Sequence, residues 1–266
     1  MGRVRLDDEL VAQGVCESRD EALRLLMSGA VSAGGERLSS PGALVRPGIE
    51  LHVKGRRAYV GRGGEKLAGA LEACGVDPAG LSCLDVGCST GGFTDCLLKH
   101  GAASVVAVDV GRAQFDWGLR GDPRVTLLER TDIRDVPGLG FSGSFDLVVC
   151  DVSFTSVATV LPAVLELLGP GGWFLTLVKP QFEAPRGQVD AGGVVRSAEV
   201  RRAALERVAR AFAAAGLDPV RACVSPLLGA KGNTEYFLLG SSATLVPDGE
   251  ALDARVRELV EEAGAL

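Results

Sequence analysis

Histidine is nearly absent from this chain, two in 266 residues, and its seven cysteines include no Cys-x-x-Cys pair. Those shortages argue against the common zinc centres and against a hydrolase built on a histidine base, and no metal is expected. The cysteines are odd in number and mostly flanked by apolar residues, which reads as small buried hydrophobes in a reducing cytosol rather than a disulfide framework. Long apolar runs are missing as well. Nothing approaches a membrane span, and the opening MGRVRLDDELVAQG lacks the apolar segment of a signal peptide. A cytoplasmic protein that engages no membrane is expected.

What the chain has in excess is glycine, 36 residues, about twice the usual share, scattered without period among Val- and Leu-rich runs. With 47% hydrophobic and 23% charged residues, the length allows one or two domains with a real core. The glycines suit an α/β protein with many tight strand-to-helix turns. Formal charge is −6, which on its own speaks against nucleic-acid binding. Its distribution is uneven: residues 1–60 hold nine Lys/Arg against eight Asp/Glu, net +1, and the remainder carries −7. Any basic face is therefore local.

Along the chain, Leu6, Leu10 and Val11 recur at helical spacing, and Ser18 precedes Glu21 by three residues as a capping box for a second helix that stops at Gly29. The stretch AVSAGGERLSSPGALVRPGIELHV, with apolar pairs split by Gly-Gly and Pro-Gly, predicts a small meandering sheet. Arg3, Arg5, Arg19 and Arg24 gather at the start of the chain and on the second helix, where a solvated face is the default for exposed charge. A Gly- and Arg-rich joint, GRRAYVGRGGE, follows. A helix is then expected from Glu65 to Gly75.

The segment SCLDVGCSTGGFTDCLLKHG reads as a strand, a glycine turn and a helix, and ASVVAVDVG as a second strand ending in Asp109. Glycines allow a ligand close to the backbone at the helix N-terminus, and Asp109, with Val110 beside it, can take two ribose hydroxyls. The glycine spacing fails the G-x-G-x-x-G of dinucleotide folds and suits S-adenosylmethionine instead. Asp85 and the turn residues Gly87, Ser89, Thr90, Gly91, Gly92 and Phe93 would face its methionine end, and Asp132, after a third strand, its adenine. A fourth strand ends at Asp151, a fifth at Lys179, and Glu235 enters the last. Ligands of open α/β sheets bind at the carboxyl ends of the strands, so Asp151 and Lys179 should share one rim. Phe154 is read two ways, as a platform for the target base or as core.

Two resemblances sharpen this outline. The run R-L-D-x-x-L-x-x-x-G followed by S-R-x-x-A-x-x-L-x-x-x-G-x-V resembles the S4-type RNA-binding domain, which implies that Arg3, Arg5, Arg19 and Arg24 lie on RNA phosphates. Lys66 in RGGEKL, Asp151 in CDVSF, Lys179 in LVKPQFE and Glu235 in NTEYFL resemble the Lys-Asp-Lys-Glu tetrad of FtsJ-class RNA 2′-O-ribose methyltransferases. Together they are similar to the TlyA family, the hemolysin-named rRNA methyltransferases. The resemblance implies a Rossmann-like, S-adenosylmethionine-dependent methyltransferase sheet carrying a small α+β S4-type domain. Its boundaries would be 1–56 for the S4-type domain, 57–62 for a linker and 63–266 for the FtsJ-like domain.

It also implies cytidine 2′-O-methylation of ribosomal RNA, in 23S and, given a C-terminal amphipathic segment (Leu252, Val256, Leu259, Val260), in 16S. Under that reading Lys179 meets the 2′-oxygen, Asp151 and Glu235 position Lys179, and Lys66 holds the developing charge. Arg57, Ala58, Tyr59 and Val60 are expected to report RNA docking to the cofactor site. The alternatives are an S4-type binding module with a degenerate or small-molecule methyltransferase domain, and a hemolysin, for which no segment combines the length, hydrophobicity and basic face needed to insert.

Overall fold

The structure, a computed structural model, describes residues 2–13, 15–16, 18–54, 58–112 and 114–264, which fall into two units, one ending at Lys54 and one beginning at Ala58. In the first, β1 (Val4–Arg5) leads into α1 (Leu6–Ala12), followed by α2 (Arg19–Met27), β2 (Val31–Ala33), β3 (Glu36–Arg37), β4 (Leu44–Val45) and β5 (His52–Val53). Leu6 and Leu10, one turn apart, and Ala22 and Leu26, likewise, meet Cys16, Val31 and Val45 in a small core. Ser18 caps α2 by accepting from the Glu21 backbone N–H at 3.3 Å, as the Ser-x-x-Glu spacing predicts. The short strands form an antiparallel sheet, β3-β2-β5, and a separate pair, β1-β4. The opening strand departs from the helix-first expectation, because two residues, Val4 opposite Val45 and Arg5 opposite Leu44, are too few to leave a period in sequence.

The second unit runs α3 (Arg62–Cys74), β6 (Ser82–Val86), α4 (Gly92–Lys99), β7 (Ser104–Asp109), α5 (Trp117–Arg120), β8 (Val125–Glu129), β9 (Phe145–Cys150), α6 (Val157–Leu167), β10 (Leu168–Val178), α7 (Pro180–Glu183), α8 (Ala198–Ala214), β11 (Asp218–Val224), β12 (Tyr236–Ser241) and α9 (Gly249–Glu262). Its seven strands lie in the order β11-β12-β10-β9-β6-β7-β8, parallel except for β12, which is antiparallel to both neighbours. Successive residues feed opposite faces. Val148 and Cys150 of β9 pack with α6, α8 and α9, whereas Leu147 and Val149 pack with α3 and α4. Burial on both faces explains why these strands read as unbroken apolar runs.

Helix α3 begins at Arg62, three residues ahead of the expected Glu65. Gly63 and Gly64 in its first turn are poor helix formers and hide the start from the sequence. They are accommodated because this turn meets α4: a Cβ on Gly92 would lie 3.0 Å from Gly64 N. That close approach seats the helix carrying Lys66 against the glycine turn.

Candidate active site

Sheet register assembles one rim. Val86 of β6 pairs with Cys150 of β9, so Gly87 and Asp151 emerge side by side, and a Cβ on Gly87 (φ +82°) would come 2.9 Å from the Asp151 carbonyl oxygen. A larger residue there would push the two strand ends apart. Strand β12 runs against β10 with Tyr236 opposite Val178, so Glu235 begins where Lys179 ends. One antiparallel strand thus returns a carboxylate to the edge at which the parallel strands finish.

The four tetrad residues meet as two ion pairs. Lys66 Nζ, from the first turns of α3, donates to Glu235 Oε2 at 2.6 Å, and Lys179 Nζ lies 2.6 Å from Asp151 Oδ1. Both lysines and Glu235 are buried. Glu235 therefore holds Lys66, not Lys179 as the resemblance implied: each desolvated ammonium takes a carboxylate of its own, which offsets its burial at the shortest range. Two further residues join them. Lys179 Nζ donates to Ser153 Oγ at 2.8 Å, and Gln181 Nε2 to Glu235 Oε1 at 3.3 Å. Both escaped the sequence reading, although each stands two positions beyond a tetrad residue, Ser153 in irregular chain after β9 and Gln181 in the short helix α7.

Beside the pairs lies a cavity of about 530 Å³ whose wall includes Gly87, Ser89, Asp109, Val110, Asp132, Asp151, Ser153 and Phe154. A smaller one of about 120 Å³ is lined by Thr90, Gly92 and Phe93 together with Gly87 and Asp151. Asp109 Oδ2 accepts from Ser89 N at 2.8 Å and Oδ1 from Gly111 N at 2.6 Å, which fixes the carboxylate at the cavity wall. Asp132 also faces the cavity, but Arg134 grips both its oxygens, and that guanidinium holds the carboxyl down to about 2.

Neither Asp85 nor Gly91 lines either cavity. Asp85 sits fully buried behind the turn, where Oδ2 accepts from Thr94 N at 2.9 Å and Thr94 Oγ1 at 2.7 Å, pinning the first turn of α4. Its Oδ1 has no hydrogen-bond partner among the described residues, and burial pushes its carboxyl up to about 7. A fixed acid at the ribose position, a left-handed glycine at the strand end and a cavity of ligand size fit S-adenosylmethionine.

Phe154 is not core. It is 91% exposed in a left-handed conformation (φ +65°), its ring 5.2 Å from that of Phe182. In the first unit Arg3 and Arg24 are exposed, whereas Arg5 makes a forked pair with Asp7 and Arg19 pairs with Asp8. Of the joint residues, Arg57 lies outside the described set. Ala58 O accepts from Lys99 Nζ at 2.7 Å, Val60 N donates to Asp95 Oδ2 at 2.9 Å, and Lys99 stands 5.2 Å from the Tyr59 ring centre. All three contacts reach α4, the helix that the glycine turn opens.

Residues 59–241 match the family model described as FtsJ-like methyltransferase, and residues 4–51 match the S4 domain. The 16S/23S rRNA (cytidine-2′-O)-methyltransferase TlyA of Mycobacterium tuberculosis (strain CDC 1551 / Oshkosh) is 47% identical over 238 residues, 89% of each chain. The 23S rRNA (cytidine-2′-O)-methyltransferase TlyA of Campylobacter jejuni is 34% identical over 180 residues, 67% of this chain and 69% of its own. Among solved structures, a hemolysin-named protein from Streptococcus thermophilus superposes with a TM-score of 0.70 at 36% identity, over 98% of this chain and 97% of that one.

Proposed function

The chain belongs to the FtsJ-like methyltransferase family, in its S4-bearing TlyA branch, and from that premise we propose that it methylates the 2′-hydroxyl of cytidine in ribosomal RNA, using S-adenosylmethionine. The observation that carries this reading is the pair of lysine–carboxylate contacts at the rim of the cavity, each 2.6 Å long. Both 23S and 16S rRNA are its substrates. Supporting the wider scope, identity is higher to the relative named for both RNAs (47%) than to the one named for 23S alone (34%).

S-adenosylmethionine supplies a methyl group on a positively charged sulfur, which becomes a neutral thioether once the methyl has left. The protein's part is to hold, orient and move a proton. Asp109 would take the ribose hydroxyls, Asp132 would border the adenine, and the turn from Gly87 to Phe93 would hold the methionine end, with Asp85 behind the turn. Lys179 Nζ meets the 2′-oxygen and takes or shares its proton, held by Asp151. Lys66, held by Glu235, steadies the negative charge that develops on the oxygen. Phe154, exposed beside the cavity, stacks on the target base. Arg3, Arg5, Arg19 and Arg24 of the S4 unit contact phosphates, and Ala58–Val60, tied to α4 and continuous with Arg57, couple RNA docking to cofactor affinity.

The test is transfer of tritiated methyl to naked 16S rRNA, naked 23S rRNA and intact subunits. Label confined to ribose in ribosomal RNA is expected; label on a small metabolite, or in no RNA, overturns the proposal.

A further inference from the structure

Ser153 lies within the CDVSF motif but is given no role there by the sequence, yet it touches the atom on which the proposed chemistry turns. Its Oγ accepts from Lys179 Nζ at 2.8 Å, and on the same nitrogen Asp151 Oδ1 lies 2.6 Å away. Both neighbours come from one three-residue segment just past the end of β9, and both line the large cavity. The chain then turns sharply through Phe154 at φ +65°, a left-handed conformation uncommon for a bulky residue. Ser153 is itself exposed at the cavity wall, and its hydroxyl oxygen is tied to Lys179.

A lysine nitrogen has four tetrahedral directions. Its own carbon takes one and the hydrogen bond to Ser153 Oγ a second, while Asp151 Oδ1 holds the ammonium by charge at 2.6 Å without a directed hydrogen bond. We propose that Ser153 is a positioning residue for methyl transfer, its directed hydrogen bond setting, beside the charge of Asp151, how Lys179 Nζ faces the reacting 2′-oxygen. This inference rests on the tetrad reading of the site given above.

The residue type matters as much as the place. A second carboxylate at this distance would bind the ammonium tightly and oppose any movement of its proton. A hydroxyl accepts the hydrogen bond and orients the nitrogen without adding charge. Without Ser153, Lys179 keeps its ion pair but swings about it, so the reacting atoms meet in the right geometry less often. Misplacement on the scale of an ångström costs up to about a hundredfold in rate.

The experiment measures steady-state transfer of tritiated methyl to ribosomal RNA, together with S-adenosylmethionine affinity by calorimetry, for the full chain and its Ser153→Ala, Ser153→Thr and Lys179→Ala variants. For Ser153→Ala, kcat is expected to fall roughly ten- to a hundredfold while KM for RNA and cofactor affinity stay within about twofold. Ser153→Thr keeps a hydroxyl at the same place and restores most of kcat. The inference is overturned if Ser153→Ala keeps kcat within about twofold of the parent, if threonine rescues nothing, or if cofactor binding is lost with activity, which would mark a structural role. Lys179→Ala separates the two levels. If that variant still methylates RNA, the tetrad reading itself fails; if it is dead while Ser153→Ala is fully active, only the role of Ser153 is withdrawn.

Discussion

Asp85 shows most plainly how one residue ties a strand to the helix that follows it. It is fully buried, shares Oδ2 with Thr94, leaves Oδ1 unpartnered among the described residues, and has its carboxyl raised by burial to about 7. Because the folded value lies above that of an unfolded aspartate, proton binding favours the folded state. The contribution is fully present below about pH 4 and is lost as pH rises through about 7, on the order of 4 kcal/mol across the window. Urea unfolding at pH 5 and pH 8 should therefore show the parent losing more stability than Asp85→Asn as pH rises; equal losses in both would contradict the assignment. Asp109 and Asp151 were legible as strand-end acids because each closes an apolar run, whereas Asp85 lies inside β6 and turns away from both cavities. Ser153 and Gln181 were not, since a lone serine or glutamine after a strand resembles any exposed polar residue until the lysine or glutamate it bonds is folded beside it.

Elements place these residues more tightly than motifs alone imply. Seven strands, their order along the chain and the rim at which they end follow from runs such as LDVG, VVAVDV and DLVVCD, which are apolar because both faces of the sheet are covered. The pairing of Glu235 with Lys66 was hidden, because it depends on β12 running antiparallel to β10 and on α3 pressing its glycine-bearing first turn against Gly92. The same packing gives the joint residues leverage. Ala58 and Val60 bond to Lys99 and Asp95 on α4, and a Cβ on Gly64 would run into the Tyr59 ring at 2.3 Å. Loss of that ring should loosen the meeting of α3 and α4 beside the glycine turn. Calorimetry on the full chain is expected to show Tyr59→Ala binding S-adenosylmethionine about fivefold or more weakly, the lower end of ordinary coupling energies. Equal affinities would remove the coupling from the account.

At the scale of the whole molecule, a net charge of −6 is compatible with an RNA substrate only because charge is partitioned, near neutral in the first sixty residues and acidic beyond. Even within the S4 unit the basic footprint is thin, since Arg5 and Arg19 are paired with Asp7 and Asp8 whereas Arg3 and Arg24 are exposed with no ion pair identified among the described residues. RNA affinity should accordingly be weakly salt dependent and lean on shape. Replacing both Arg3 and Arg24 by alanine is expected to weaken binding and lower the slope of log affinity against log salt by roughly two; an unchanged slope would place the phosphate contacts elsewhere. The central claim, that Lys179 in its pair with Asp151 drives methylation of a ribose hydroxyl, is tested most directly by digesting treated ribosomal RNA to nucleosides and weighing them by mass spectrometry. The parent should yield 2′-O-methylcytidine and Lys179→Ala none, whereas methyl on a base, or an undiminished yield from the variant, would contradict it.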